Sequence, residues 1–438
     1  MSTDIEAEQS PPPAPKRSLG FLKLFASGIT IQALLSASNF AVGLLLIRYT
    51  PTSEYGYYVL VLNTVTLLVG VQNTFISPQM VLRLVRGTKS ERADLVGGLY
   101  RSQRRLLPAF AIIVVAVTLL IYVFGYLPPH LLWLVCAGTL ATLGALYREF
   151  FRLVLFSYRL PRNVLLADLV YTTLLMAGAV LASFSGGSAS ITMAALMSFA
   201  ALCGGILCAR SLWRHEAWNI HGAQGILREI APGGVWTTSG TVIHWLLTQG
   251  FNFLVAAVLN VTSVGALAAT RLFIMPVNML SMGIGTTIYP VVAAWLDAHG
   301  AATALKRLLL IAAGLVTVAL CYFSVVWLAR EWIFVHILKK HIQDSDTLML
   351  LWFAIGILML IRDQVIFLPL ARGRYPALLS VTSSGAVVAL AVCYFVLRMT
   401  GVTGALWGVL AGESVNVAGL LLLSFLETRR PAPAPASS

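Results

Sequence analysis

The sequence predicts an all-α integral membrane protein with twelve transmembrane helices in two parallel-repeat six-helix halves. Of its 438 residues, 58% are hydrophobic and only 11% are charged, and the mean hydropathy is +0.84. Soluble domains carry charges at about 25% of their positions. The apolar residues also fall in blocks of about 20, the length that a helix needs to cross about 30 Å of hydrocarbon. The chain is therefore expected to span a membrane many times.

Twelve apolar blocks define the predicted spans. The first block follows a polar tail and has no small-residue cleavage site after it, which favours a retained helix over a signal peptide. The five cysteines all lie inside apolar blocks, so they predict neither a disulfide framework nor a zinc site. In the last span, Gly404, Gly408 and Gly412 recur at every fourth position, which predicts a smooth face for close helix packing. The predicted spans are 24–47, 56–77, 106–127, 131–155, 163–184, 190–212, 233–259, 264–294, 308–329, 347–370, 376–397 and 402–426.

The distribution of basic residues predicts how the chain is oriented. With an even number of spans, both termini lie on one side of the membrane, and 23 of the 30 Lys and Arg residues fall on that side. Cytoplasmic loops carry the excess of basic residues, so both termini are expected in the cytoplasm. The net charge of +13 therefore indicates contact with a membrane surface rather than with nucleic acid. The basic segment 81–106 suits either a helix lying on the anionic inner leaflet or a plain orientation signal.

Two similar joints indicate an internal repeat. The joint between spans one and two reads TPTSEYG and ends at Gly56, and the joint between spans seven and eight reads LNVTSVG and ends at Gly265. In each half the second span ends at a proline, Pro78 or Pro290. Six spans per half is an even number, so the halves share one orientation, and a substrate site is expected between them. The predicted organisation is a disordered N-terminal tail (1–23), a first bundle (24–212), a cytoplasmic linker (213–232), a second bundle (233–426) and a disordered C-terminal tail (427–438).

These features resemble a known transporter family over residues 20–427. The first span, the Thr/Ser joint followed by Tyr-Gly-Tyr-Tyr, the segment LNVTSVGALAATRLFIMPVNMLSMGIGTTIYPVV and the two halves are similar to the polysaccharide transporters of the multidrug/oligosaccharidyl-lipid/polysaccharide exporter superfamily. The resemblance implies a bacterial inner-membrane flippase. It would carry undecaprenyl-pyrophosphate-linked sugar units to the outer leaflet by alternating access, for cell-surface polysaccharide biosynthesis.

The resemblance also implies the partners of the protein. These are the lipid-linked glycan and the membrane lipids, with a polysaccharide polymerase or a glycosyltransferase left open as a further partner. It implies neither a nucleic-acid partner nor a cofactor nor a metal.

Charged residues inside spans are the first candidates for a substrate site, because burying a charge in hydrocarbon is costly unless it faces a cavity or a partner. The guanidinium of Arg271, in span eight, is suited to bind a pyrophosphate or an acidic sugar. Its alternative is to extend to the membrane surface or to pair with a buried carboxylate. The other candidates, for which surface anchoring or helix-to-helix hydrogen bonding is the alternative, are Arg362, Arg48, Arg148, Arg152, Gln249, Asn252 and Asn278.

Three acidic residues are candidates for ion coupling or for ion pairs. Glu413, near the middle of span twelve, is expected to pair with Arg271 or Arg362 rather than to couple a proton. Arg362 and Asp363 are adjacent on a helix and point about 100° apart, so each is expected to have another partner. Asp168 is expected at the inner interface of span five.

Two other functions are weighed against a flippase. An ion-coupled drug or cation exporter of the same superfamily would need an anionic cavity, and span one contains no carboxylate. A membrane glycosyltransferase or polymerase would need a large outer loop, which the chain lacks. No GxxxxGK[ST], HExxH or GxSxG pattern occurs, so neither ATP hydrolysis nor another enzymatic activity is expected.

Overall fold

The computed structural model describes residues 19–215, 218–219 and 225–429, and twelve of its helices are long and apolar enough to cross a membrane. The prediction of twelve spans in an all-α bundle is confirmed. Most of the residues predicted as disordered tails, and seven residues of the predicted linker, lie outside the described residues. Residues 19–23, 213–215, 226–232 and 427–428, which the sequence placed in the tails and the linker, are helical. The helices are α1 (Leu19–Tyr49), α2 (Thr52–Arg86), α3 (Lys89–Val123), α4 (Pro129–Ser157), α5 (Pro161–Ser183), α6 (Ala189–His215), α7 (Ile226–Val258), α8 (Val261–Gly285), α9 (Val291–Leu328), α10 (Ser345–Ala371), α11 (Tyr375–Thr400) and α12 (Val402–Thr428).

Several helices begin before the predicted spans do. The clearest case is α3, whose first turn is closed by a capping box: the Thr88 side chain accepts a hydrogen bond from the Glu91 backbone N–H, and the Glu91 carboxylate accepts one from the Thr88 backbone N–H. Leu95 and Leu99 on the next turns are buried in the bundle. The basic segment 81–106 therefore completes α2 and begins α3, and it does not form a separate helix on the membrane surface.

The helix that carries Arg271 is interrupted at that residue. The α-helical part of α8 ends at Arg271, and a 3₁₀ turn over Leu272–Ile274 follows before α-helix resumes at Met275. Such a turn inside a helix is often found at functional positions. Further along the chain, the helical segment from Met275 to Leu328, which includes the end of α8 and all of α9, is broken at Gly300, where φ is 77°. Only glycine accepts this backbone conformation without strain.

The two halves repeat one packing scheme. In the first half, α1 packs against α5, and α6 packs against both α4 and α5. In the second half, α7 packs against α11, and α12 packs against both α10 and α11. Each pair in the second half is its first-half counterpart displaced by six helices, as expected for a parallel repeat.

The halves meet closely at the end of the bundle opposite the chain termini, which we call the distal end; the other is the terminal end. At the distal end, a methyl group at Gly56 would lie 2.1 Å from the Val261 carbonyl oxygen, and one at Gly265 would lie 2.1 Å from the Thr52 carbonyl oxygen. The two glycines therefore make a reciprocal backbone contact between α2 and α8. Nearby, the Lys340 ammonium donates to the Thr50 carbonyl oxygen at 2.9 Å. The distal end is thus closed.

Towards the terminal end, α2 stays in contact with α7. The Thr237 hydroxyl donates to the Thr74 carbonyl oxygen at 2.8 Å, and Arg83 and Glu229 form an ion pair at 2.8 Å. This ion pair is largely exposed to solvent, and exposed pairs contribute little to stability. The hydrogen bond from Thr237 to the backbone of α2 therefore contributes more than the ion pair to holding α2 and α7 together.

The glycine face of α12 packs on α11 as the spacing predicts. A methyl group at Gly408 would lie 2.6 Å from backbone atoms of Cys393, and one at Gly412 would lie 2.4 Å from the Ala389 side chain. Two helices approach this closely only where the side chain is absent, and van der Waals packing between small residues drives helix association in lipid. This contact joins the last two helices of the second half.

Gly408→Ala is expected to destabilise the second half, since the added methyl group would force α11 and α12 apart. Gly314→Ala is the matched control, because that helical glycine has no neighbour within 4 Å of the added atom. Alanine there should be neutral or stabilising by up to about 1 kcal/mol. Thermal unfolding of the purified variants in detergent checks this prediction, and equal melting temperatures for the two variants would contradict it.

Candidate functional site

A cavity of 380 Å³ lies between the two halves. Helices α1 and α2 of the first half and α7, α8 and α10 of the second half contribute to its wall. Its polar lining includes five neutral amides, and the aromatic rings of Tyr55, Tyr58, Trp245 and Trp352 also line it. The amides are Asn39, Asn63, Gln249, Asn252 and Asn278. The position agrees with the expectation of a site between the halves.

Arg271 is the guanidinium in this cavity. Its Nη1 donates a hydrogen bond to Gln249 Oε1 at 2.6 Å, and the same oxygen accepts a hydrogen bond from Asn252 Nδ2 at 3.3 Å. The guanidinium carbon lies 5.3 Å from the ring centroid of Trp352, within the range of a cation–π contact. The side chain is therefore held by a neutral acceptor and an aromatic face.

Local structure in α8 and α10 fixes these groups. The α8 helix begins after Asn260, whose side chain accepts from the Ser263 backbone N–H at 2.8 Å. The buried Trp352 indole donates to the Leu267 carbonyl oxygen at 3.2 Å, one turn before Arg271. The ring beneath the guanidinium is thus tied to the helix that carries it.

The electrostatic character of the cavity is cationic. Within the part of the chain that the structure describes, Arg271 has no carboxylate partner, and no Asp or Glu lines the cavity. His244 is the other titratable nitrogen base in its lining. An arginine that is removed from water without a neutralising acid attracts anions strongly. The cavity is therefore suited to a negatively charged ligand.

The other arginines of the bundle interior are neutralised by acids. In the first half, Arg148 Nη2 donates to Asp168 Oδ1 at 2.6 Å, and Arg152 Nε donates to Asp168 Oδ2 at 3.0 Å. Arg152 also donates to Glu149 at 2.9 Å. Asp168 is fully buried between these two arginines, and its position at the inner membrane interface stays a prediction. These four charges balance, and none of the four residues lines the cavity between the halves.

The second half contains a smaller cluster, in which one arginine is paired with two acids. Arg362 Nη1 donates to Glu413 Oε1 at 2.5 Å, and Arg362 Nη2 donates to Asp363 Oδ1 at 2.9 Å. Arg362 and Glu413 are 5% and 1% exposed. Arg362 and Asp363 pair with each other, because the long guanidinium side chain bends back to its neighbour, and each also has the other partner that was expected, Glu413 for Arg362 and Ser281 for Asp363. Asp363 also accepts from the Ser281 hydroxyl at 3.0 Å, so the cluster joins α8, α10 and α12.

The two clusters reveal a second trace of the repeat that the sequence analysis missed. An arginine followed by an acid stands on the fourth helix of each half, as Arg148-Glu149 and as Arg362-Asp363. In both halves the arginine then pairs with a carboxylate from a later helix, Asp168 or Glu413. Aligning α4 with α10 would have found this dipeptide.

The remaining predicted residues divide between cavity and surface. Gln249, Asn252 and Asn278 line the cavity, as Arg271 does. Arg48 stands at the distal end of α1, 5.3 Å from the ring centroid of Tyr49, and does not line the cavity. Of the eight predicted substrate-binding residues, the structure therefore brings together four on α7 and α8. The aromatic residues of the cavity were not predicted, because aromatic side chains are common throughout membrane helices.

The fold is similar to solved transporters. An inward-facing multidrug resistance MATE family transporter of the MOP superfamily matches with a TM-score of 0.75 at 13% sequence identity, over 89% of this chain and 93% of that chain. An outward-facing multidrug resistance MATE family transporter of the MOP superfamily matches with a TM-score of 0.63 at 12% identity, over 93% of this chain and 95% of that chain. Lipid II flippase MurJ in an inward closed conformation matches with a TM-score of 0.66 at 12% identity, over 90% of this chain and 87% of that chain.

These similarities establish the fold that the chain shares with MATE transporters and MurJ. No protein-family profile matches the sequence, and no curated protein sequence matches it. At 12–13% identity, these similarities show the fold and do not show which ligand this chain binds.

Arg362→Ala is expected to lower the amount of folded protein in the membrane and its melting temperature. The substitution leaves the buried Glu413 carboxylate without its cation, and breaking a buried pair in this way costs about 3–5 kcal/mol. Replacing Glu413 by Gln in the same chain removes the orphaned charge, so Arg362→Ala/Glu413→Gln should recover part of the loss.

Arg330→Ala is the control for this series, because its partner Asp346 is exposed and the pair is worth about 1 kcal/mol or less. Immunoblots of membranes and thermal unfolding in detergent report the outcome. If Arg362→Ala has the abundance and melting temperature of the wild type, the pair does not hold the helices together.

Proposed function

We propose that the protein is a flippase that carries a lipid-linked oligosaccharide or polysaccharide repeat unit, held on undecaprenyl pyrophosphate, from the inner to the outer leaflet. The shared fold with MATE transporters and MurJ supports a transporter. The terminal end of the bundle faces the cytoplasm of a bacterial cell in this proposal, in agreement with the basic loops on that side. The protein acts without a cofactor and catalyses no bond cleavage.

The observation that carries the proposal is the Arg271 guanidinium, which among the described residues has no carboxylate in contact with it. It donates one hydrogen bond to Gln249, and an arginine has five N–H donors, so further donors remain for phosphate oxygens. Guanidinium and phosphate match in geometry, and each hydrogen bond to a charged group contributes about 1.5–3 kcal/mol. A pyrophosphate bound there would replace the missing carboxylate.

The rest of the cavity suits the sugar next to the pyrophosphate. The amides of Asn252 and Asn278 offer donors and acceptors for hydroxyl groups, and Trp245 offers a flat apolar face. The volume of 380 Å³ is within the range of about 300–1,000 Å³ that small-molecule pockets occupy. The cavity therefore takes the head of the cargo, while the polyprenyl chain stays in the bilayer.

A drug or cation exporter is the competing function, and the charge of the cavity disfavours it. A lipophilic cation would meet Arg271 with no carboxylate in the described lining to attract it. The acids of the second half are engaged with Arg362 instead. We assign Glu413, Asp363 and Asp168 to holding helices together rather than to ion coupling.

Arg271→Ala is expected to reduce lipid flipping about tenfold or more, since the charge-assisted hydrogen bonds to phosphate are lost. The assay uses purified protein in vesicles with a fluorescent polyprenyl-diphosphate disaccharide, whose exposure is followed by chemical quenching from outside. Arg271→Lys should restore part of the rate, because it returns the charge but not the fork geometry.

Arg398→Ala is the matched control, because that exposed arginine of α11 contacts Tyr394 and lies outside the cavity. Its flipping rate should equal that of the wild type. A wild-type rate for Arg271→Ala would overturn the assignment of the cargo site. Export of a cationic dye by vesicles that flip no polyprenyl-diphosphate glycan would overturn the proposed function.

Transport by alternating access requires the distal contact to open. Gly56→Val is therefore expected to separate the distal ends, because its side chain would collide with the Val261 carbonyl oxygen. Spin labels at Tyr126→Cys and Met399→Cys, which are exposed at the distal ends of the first and the second half, in a chain whose native cysteines are replaced by alanine, measure this separation by pulsed electron resonance. Gly314→Val is the control. An unchanged distance distribution in Gly56→Val would show that this contact does not close the distal end.

A further inference from the structure

A groove of 610 Å³ lies on the outside of the first half, near its terminal end, between α3, α4 and α6. Leu202 and Ile206 form part of its wall and are 45% and 63% exposed, so the groove opens onto the surface that faces lipid. None of its lining residues lines the cavity between the halves. The groove is therefore separate from the proposed cargo site.

Aromatic rings line one side of this groove. Trp218 stacks on Phe151 with ring centroids 5.1 Å apart, and it meets Tyr100 edge-on at 5.2 Å. The residue after Trp218 is fixed to α3, because the Asn219 backbone N–H donates to the Ala93 carbonyl oxygen at 3.2 Å and the Asn219 side chain donates to Asp94 at 2.7 Å. Such aromatic clusters lie at the level of lipid headgroups.

Two arginines stand beside these rings. Arg210 and Arg214 both line the groove and are both exposed, and they are one helical turn apart on α6. Within the described residues, neither pairs with a carboxylate. Two adjacent guanidinium groups create a site for a phosphate, and basic pockets between membrane helices bind anionic lipid headgroups.

The second half has a weaker counterpart of this groove. A recess of 400 Å³ lies between α9 and α12, which occupy in the second half the positions of α3 and α6 in the first. Lys306 is the basic residue of its described lining, and Phe425 is the aromatic one. It therefore lacks both the paired arginines and the aromatic cluster, and it provides an internal comparison.

We propose that the groove on the first half binds an anionic glycerophospholipid. Its phosphate lies on Arg210 and Arg214, and one acyl chain follows Leu202 and Ile206 beside the aromatic cluster. A zwitterionic lipid carries a cation next to its phosphate, which the two arginines repel, so it binds more weakly. The inference rests on charge complementarity and does not depend on the cargo that the protein carries.

Native mass spectrometry of the purified full chain in detergent tests this proposal. Phosphatidylglycerol and phosphatidylcholine with the same acyl chains are titrated in parallel. The wild type is expected to retain one phosphatidylglycerol with an affinity about tenfold higher than that for phosphatidylcholine. Arg210→Gln/Arg214→Gln should abolish this preference, whereas the matched variant Lys306→Gln/Arg307→Gln, which removes the same charge from the second half, should keep it.

A second variant tests the position of the acyl chain without changing charge. Ile206→Trp should fill the groove and reduce phosphatidylglycerol binding, while leaving the melting temperature of the lipid-free protein unchanged because Ile206 faces outward. Equal affinity of the wild type for the two phospholipids, or an equal loss in both charge variants, would overturn the proposal. Displacement of phosphatidylglycerol by a lower concentration of polyprenyl phosphate would also overturn it, since the groove would then be a cargo site.

Discussion

The structure depends on the cost of placing a charge inside a membrane-spanning bundle. That cost leaves a buried arginine two solutions, which are to pair with an acid or to face a cavity that accepts an anion. Arg148 and Arg362 take the first solution through Asp168 and Glu413. Arg271 lines the cavity at the junction of the halves, held by the Gln249 amide and the Trp352 ring, and we propose the second solution for it. The proposed cargo chemistry follows from this contrast.

The internal repeat explains why the cavity lies where it does. The fourth helix of each half carries an arginine followed by an acid, and these clusters hold each half together as a unit. Between the halves, the closest contact is the reciprocal approach of Gly56 and Gly265 at the distal end. Two rigid units that meet through backbone at one end can separate there without breaking their internal ion pairs. This arrangement suits rocking about a central site.

Much of the fold could be predicted from the sequence, because length and hydropathy alone define a membrane helix. The repeat was visible in the joints that end at Gly56 and Gly265, and the glycine spacing of α12 predicted its contact with α11. The ion-pair partner of each buried charged residue was harder to predict. Helical geometry sets the direction of a Cβ atom but not the reach of a guanidinium, so the pairing of Arg362 with Asp363 was not predicted. The burial of Asp168 depends on α4, which no local pattern in α5 reveals.

A structure of the protein with a bound polyprenyl diphosphate, determined by cryo-electron microscopy, tests the central claim most directly. The account predicts phosphate density within hydrogen-bonding distance of the Arg271 guanidinium, with Glu413 still paired to Arg362. Phosphate density at Arg362 or Arg148, with Arg271 turned into lipid or joined to an acid, would contradict it.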